Sequence, residues 1–145
     1  ADIAQQAALI TREMGHEPRV AFLSFSNFGN PPHVRSDRVR EAVNVLASRN
    51  PDFEFDGEMS ADVALNSQLL DHSPFSRLSA PANVLIMPGL HSADIASTLL
   101  HELGGGTVIG PILVGLAKPA QIVPMGATVT EIVNLSAIAA HEAVR

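Results

Sequence analysis

"RVAFLSFSNFGNPPHVRSDRVREAVNVL", residues 19–46, is the stretch that decides the fold. Its first part, RVAFLSFS, is a short apolar run of the kind buried on both faces of a parallel sheet, and NFGNPPH after it is loop-forming. Ser36 can then cap a helix in which Val39, Val43 and Leu46 share one face while Asp37, Arg38, Arg40 and Glu41 point outward. A strand followed by an amphipathic helix is the first half of a βαβ unit.

The same order recurs on either side. Upstream, ADIAQQAALITREMG (1–15) places Ile3, Ala7, Ile10 and Met14 at helical spacing, with Gly15 positioned to end the helix. Downstream, FEFDGEM (53–59) predicts a strand ending in an acidic turn, and Ser60 starts a helix over ADVALNSQLL (61–70). NVLIMP (83–88) predicts another buried strand, and SADIASTLLHEL (92–103) a helix capped by Ser92 and stopped by the glycines 104–106. TVIGPILVGL (107–116) and AQIVP (120–124) complete the expected strands. Thr128 and Glu131 have the spacing of a capping box for a last helix, apolar on more than one side and therefore expected to be buried, either filling the core or docking against another domain. Strands alternating with helices predict a single α/β lobe over 1–145, three-layered α/β/α with a mostly parallel sheet.

With 145 residues, 46% hydrophobic and 17% charged, the chain can build a substantial core. A net charge of -6, with only Phe among the aromatics, disfavours nucleic acid as a partner. The absence of Cys removes disulfides, a thiol nucleophile and Cys-ligated zinc. No apolar run reaches the length of a membrane span and no signal peptide opens the chain, so a soluble, cytoplasmic protein without a membrane partner is expected. The start at Ala1, directly in a helical pattern, suggests a piece of a longer polypeptide.

LGGGTVIGP lacks the dinucleotide-binding order, because its glycines follow a helix and precede a strand. The six His residues are scattered without the spacing that puts two metal ligands on one helix face, so no metal site is expected. Ser24 and Ser26, before Asn27 and Gly29, sit where open α/β sheets place ligands, at the C-terminal end of a strand. They either hydrogen-bond a ligand or satisfy their own turn. Asp56, Gly57, Glu58 and Asp62 offer a cation or base site, against the plainer reading of a turn whose carboxylates favour a helix N-terminus.

Together, RVAFLSFSNFG, FDGEMSADVAL, NVLIMPGLHSADIA, GPILVGLAKP and ATVTEIVN resemble, in this order, the C-terminal portion of phosphate acetyl/butyryltransferases. The resemblance implies a fold like that of isocitrate and isopropylmalate dehydrogenases, with two lobes around a cleft for coenzyme A and acyl phosphate. It also implies that the loop at Pro124, Met125 and Gly126 aligns with Ser-Arg-Gly of active members, and Glu131 with an Asp that serves as base toward the coenzyme A thiol. A proline and a thioether thus stand where a hydroxyl and a guanidinium would hold phosphate. No catalytic residue is expected, since losing one transition-state donor alone typically costs on the order of 10²- to 10³-fold.

This degraded pattern, with SNFG and DGEM, is similar to the C-terminal module of bacterial two-module NADP-dependent malic enzymes. That likeness implies a regulatory and assembly module that senses acetyl-CoA and builds a homo-oligomer. Malate oxidation, with NADP and Mg or Mn, belongs to an N-terminal malic enzyme module. Positions carried over for an acetyl-CoA or acyl-CoA site are Ser26, Asn27, Gly29, Arg35, Gly110, Pro111, Lys118 and Gly126. Two alternatives stay open: a working acyltransferase, and an oligomerisation lobe that binds no small molecule.

Overall fold

The computed structural model describes residues 1–144. Contacts divide the chain into two compact units, residues 1–96 and Ser97 onward.

The first unit is built on three parallel strands, β1 (Arg19–Leu23), β2 (Glu54–Met59) and β3 (Val84–Ile86), in the order β2-β1-β3. Central β1 is buried from Val20 to Leu23, as its unbroken apolar run predicts. Its side chains alternate between two cores. Val20 and Phe22 pack with Ala4 and Ala8 of α1 (Asp2–Glu13), Val43 and Leu46 of α2 (Val34–Ser48), Phe55 and Val84. Ala21 and Leu23 pack on the opposite face with Met59, with Ala64 of α3 (Ala61–Leu65) and with Leu70 of α4 (Ser67–Asp71). Helices thus cover both faces of a small parallel sheet.

Several local expectations shift. α1 presents Ala4 and Ala8 to the core while Ile3 and Met14 are exposed, because small side chains let the helix lie close on the sheet. Gly15, at φ +83°, closes α1 as expected, with the His16 N–H bonded to the Thr11 carbonyl and the Gly15 N–H to that of Arg12. α2 is capped by His33, whose Nδ1 accepts the Arg35 N–H, rather than by Ser36, which is buried with its hydroxyl 3.1 Å from that of Ser24. The helix expected over 61–70 breaks at Asn66, whose extended backbone and side-chain oxygen start α4 by accepting the Gln68 N–H. Ser92 lies inside α5 (Leu90–Gly104) and bonds back to the Gly89 carbonyl instead of capping it.

In the second unit, α6 (Val129–Ala143) begins with the expected capping box. The strands expected at 107–116 and 120–124 are not formed. Pro111, Pro119 and Pro124 remove backbone donors, and Gln121 occupies the backbone that a neighbouring strand would pair. Its side-chain oxygen accepts the Leu113 N–H at 2.9 Å, and its amide donates to the Leu113 carbonyl at 3.0 Å and to Glu142 at 3.4 Å. The last helix does not fill the core: in α6 Leu135 is buried, whereas Val129, Ile132 and Val133 are exposed. No helix among the described residues is long and apolar enough to cross a membrane.

Candidate functional site

The parallel strands of the first unit all point their C-terminal ends toward one rim, where α/β sheets collect ligand-binding loops. A cavity of about 710 Å³ opens there, lined by Leu23, Ser24 and Phe25 after β1, His33 and Arg35 at the start of α2, Ala61, and Met87 and Pro88 after β3. Arg35, Met87 and Pro88 also line a second cavity of about 490 Å³ with Arg38, Val39 and Ile86. Arg35 is therefore the cation shared by two largely apolar hollows. Phe25 stands edge-on to the His33 ring, with centroids 5.4 Å apart.

Beneath this rim the β1–α2 loop is held from below. Asn27 and Asn30 exchange two backbone hydrogen bonds, and the residues between them, Phe28 and Gly29, both have positive φ, as in a type I′ turn. Glu58 reaches this loop because β2 slips register: Phe22 pairs with Gly57 and Leu23 with Met59, leaving Glu58 as the extra residue of a bulge.

Its carboxylate is fully buried. One oxygen accepts from the Ser26 hydroxyl at 3.0 Å, the Gly29 N–H at 2.7 Å and an Arg40 terminal nitrogen at 3.1 Å; the other accepts Arg40 Nε at 3.0 Å. Burial by itself would push this carboxyl up. The Arg40 fork and the Gly29 and Ser26 donors overcome it and hold the group below the ordinary glutamate range.

Asp56, Gly57 and Glu58 are thus neither the turn nor the cation site considered from the sequence. They lie within β2 and are buried, with Asp56 accepting the backbone N–H groups of Gly57 and Arg77. Nor is Arg40 simply a solvated outward charge: it grips Glu58 on one side and Asp37, 3.3 Å away, on the other. No local pattern signals this, because Arg40 has the polar neighbours of an exposed helix face. His33, one of the scattered histidines, proves to be both helix cap and cavity wall.

Other candidate positions now have definite surroundings. Ser26 and Gly29 give their hydrogen-bond donors to Glu58, and the Asn27 side-chain oxygen accepts from the N–H and hydroxyl of Ser60. All three are thus tied to β2 and the residue that follows it. Of the first unit's candidates, Arg35 and Ser24 line a cavity.

In the second unit, Gly110, Pro124 and Glu131 border a hollow of about 10 Å³, about one water in size, with Val108, Ile109, Asn134 and Leu135. Met125 is fully exposed, and Pro111, Lys118 and Gly126 are exposed as well. The Glu131 carboxylate accepts the Thr128 N–H at 2.6 Å and its hydroxyl at 2.8 Å. The Thr128 backbone bond, with help from the hydroxyl and from His101, holds it below the ordinary carboxylate range. Such a carboxylate is a weaker proton acceptor than a free one. Among the described residues no three His, Asp or Glu side chains gather in a way that could hold a metal ion.

The profile of a family described as phosphate acetyl/butaryl transferase matches residues 1–140. The NADP-dependent malic enzyme of Rhizobium meliloti (strain 1021) is 57% identical over 143 residues, 99% of this chain but 19% of that protein, in its C-terminal part. The phosphate acetyltransferase of Paracoccus denitrificans is 42% identical over 132 residues, 90% of this chain and 42% of that one. A crystal structure of a phosphotransacetylase from Streptococcus pyogenes superposes with a TM-score of 0.90 at 33% identity, covering 99% of this chain and 44% of that one. The chain thus spans about a fifth of the malic enzymes it matches.

Proposed function

Since the chain belongs to the phosphate acetyl/butaryl transferase family, we propose that it is a catalytically silent acyltransferase-like module of an NADP-dependent malic enzyme. In this reading it binds acetyl-CoA or a related acyl-CoA as an effector and contributes to a homo-oligomer. The observation that carries the reading is the pair Pro124 and Met125 beside a Glu131 already committed to its helix cap.

Acyl transfer between phosphate and a thiol needs cationic and hydroxyl donors on the phosphoryl oxygens and a base for the thiol. A proline ring has no side-chain donor, and a solvent-exposed thioether has no charge to offer. Binding makes smaller demands. Arg35 can pair with a phosphate, and the apolar walls beside it, from Leu23, Phe25, Met87 and Pro88, suit a pantetheine-like chain. An effector works by linkage: affinity that differs between two arrangements of the assembly shifts their populations.

Malate oxidation, NADP and the divalent metal belong, in this reading, to an N-terminal malic enzyme module, a reading supported by the match to about a fifth of a malic enzyme's length. The dehydrogenase-like two-lobed cleft and a cytoplasmic location are parts of the same proposal. The exposed apolar residues of α6, Val129, Ile132 and Val133, support an interface between copies.

Titration calorimetry of the intact protein with acetyl-CoA tests the effector role, with heat of binding expected at sub-millimolar ligand; none at millimolar ligand removes it. Arsenolysis of acetyl phosphate in the presence of coenzyme A is expected to stay at background. Robust turnover would establish the working acyltransferase in its place, a reading favoured by the 42% identity to a phosphate acetyltransferase.

A further inference from the structure

We propose that Glu58 is a positioning residue: without touching ligand, it fixes the β1–α2 loop and the first turn of α2, and so sets where His33 and Arg35 stand beside the cavity. The ligand named in the test rests on the acyl-CoA reading above; the mechanical claim does not.

Three observations lead to this assignment. Glu58 is fully buried, so its carboxylate meets only its protein partners. Those partners, Ser26, Gly29 and Arg40, all belong to the connection that carries His33 and Arg35, two before them in the chain and one after. The bulge in β2 aims the side chain there, and the Glu58 carbonyl accepts the Phe28 N–H at 2.8 Å, tying the loop a second time. A buried carboxylate is costly unless every lone pair is used, and an apolar residue of similar volume would avoid that cost. The apolar residue, however, could hold neither the Gly29 N–H nor the Ser26 hydroxyl. Four charge-assisted hydrogen bonds converge on one side chain, and their shared effect is to join a loop, a helix and a strand at one point.

Glu58→Gln and Glu58→Asp in the intact protein provide the test. Gln has a single acceptor oxygen and cannot serve the Arg40 fork and the Ser26–Gly29 pair together. Asp keeps the charge for Arg40 but is too short to reach Gly29 as well. Site-resolved amide hydrogen exchange is expected to accelerate at residues 26–36 by at least about tenfold, the scale on which supporting partners act at other sites, with the amides of β1 and β3 unchanged. Acetyl-CoA affinity is expected to weaken by a similar factor in both variants.

Unchanged loop exchange in both variants overturns the proposal. So does acceleration of equal size throughout the sheet, which marks a general loss of stability. A wild-type protein that binds no acetyl-CoA removes the effector reading alone, because hydrogen exchange still decides the positioning claim.

Discussion

At Gly57 an added Cβ would lie 2.6 Å from the carbonyl oxygen of Phe22 and 2.9 Å from its Cβ, and the backbone there has φ +145°. Both conditions exclude an L side chain. Gly57→Ala is expected to destabilise the protein by more than about 2 kcal/mol, measured by urea unfolding, because neither the central strand nor the bulge can give way. A loss within about 0.5 kcal/mol would contradict this account of the bulge.

The next residue answers to pH. The carboxyl of Glu58 is held below its ordinary range when folded, so its stabilising contribution is fully present above the unfolded value and is lost as pH falls through the folded one. Unfolding free energy should therefore decline on acidification below the ordinary glutamate range. That decline should be shallower in Glu58→Gln, a comparison that titrating urea midpoints from neutral to acid pH provides. None of this was visible in the string Asp56-Gly57-Glu58, since Asp and Gly signal a turn as readily as a buried bulge. What distinguishes the two is the approach of Phe22, a contact 35 positions away in sequence.

Elements were easiest to read where a pattern was local. The apolar run of β1, the glycine stop after α1 and the Thr128–Glu131 box each depend on a few neighbouring residues. Failures came where a nearby polar group competed with the repeat. Asn66 interrupts what composition paints as one helix, and its side-chain oxygen takes the Gln68 N–H to begin another.

Asn66→Ala removes the cap of α4 and is expected to cost about 1 kcal/mol of stability in thermal or urea unfolding. An increase in stability would mean that the chain prefers a continuous helix there. The expected strands at 107–116 and 120–124 failed for a complementary reason: strand propensity reflects fit to a neighbour, and prolines and Gln121 leave none to pair. The loop candidates suffered from the same limit. Ser26, Asn27 and Gly29 were correctly placed at the strand end, but the sequence could not show that Glu58 and Ser60 had already engaged them.

On the scale of the whole chain, burial is concentrated. Both cores lie within residues 1–96, whereas Leu135 is the buried hydrophobic residue found beyond them among those described. Local opening is easiest where few apolar contacts must be broken. Amides of β1 are accordingly expected to exchange at the rate of global unfolding, and those of α6 much faster; equal protection in hydrogen-exchange mass spectrometry would refute this ordering. The family was legible from five separated segments because their order and types were retained. The proposed loss of its chemistry rests instead on single positions, Pro124 and Met125, which no local pattern marks out.

One amide in the second unit has a further implication for how the protein ages. Gln121 both accepts from and donates to the backbone of Leu113, with Glu142 beside it. Deamidation at that site would turn the donating nitrogen into an anionic oxygen facing a carbonyl and a carboxylate. A slow chemical event with almost no change in mass would then loosen the only described side-chain anchor of Leu113.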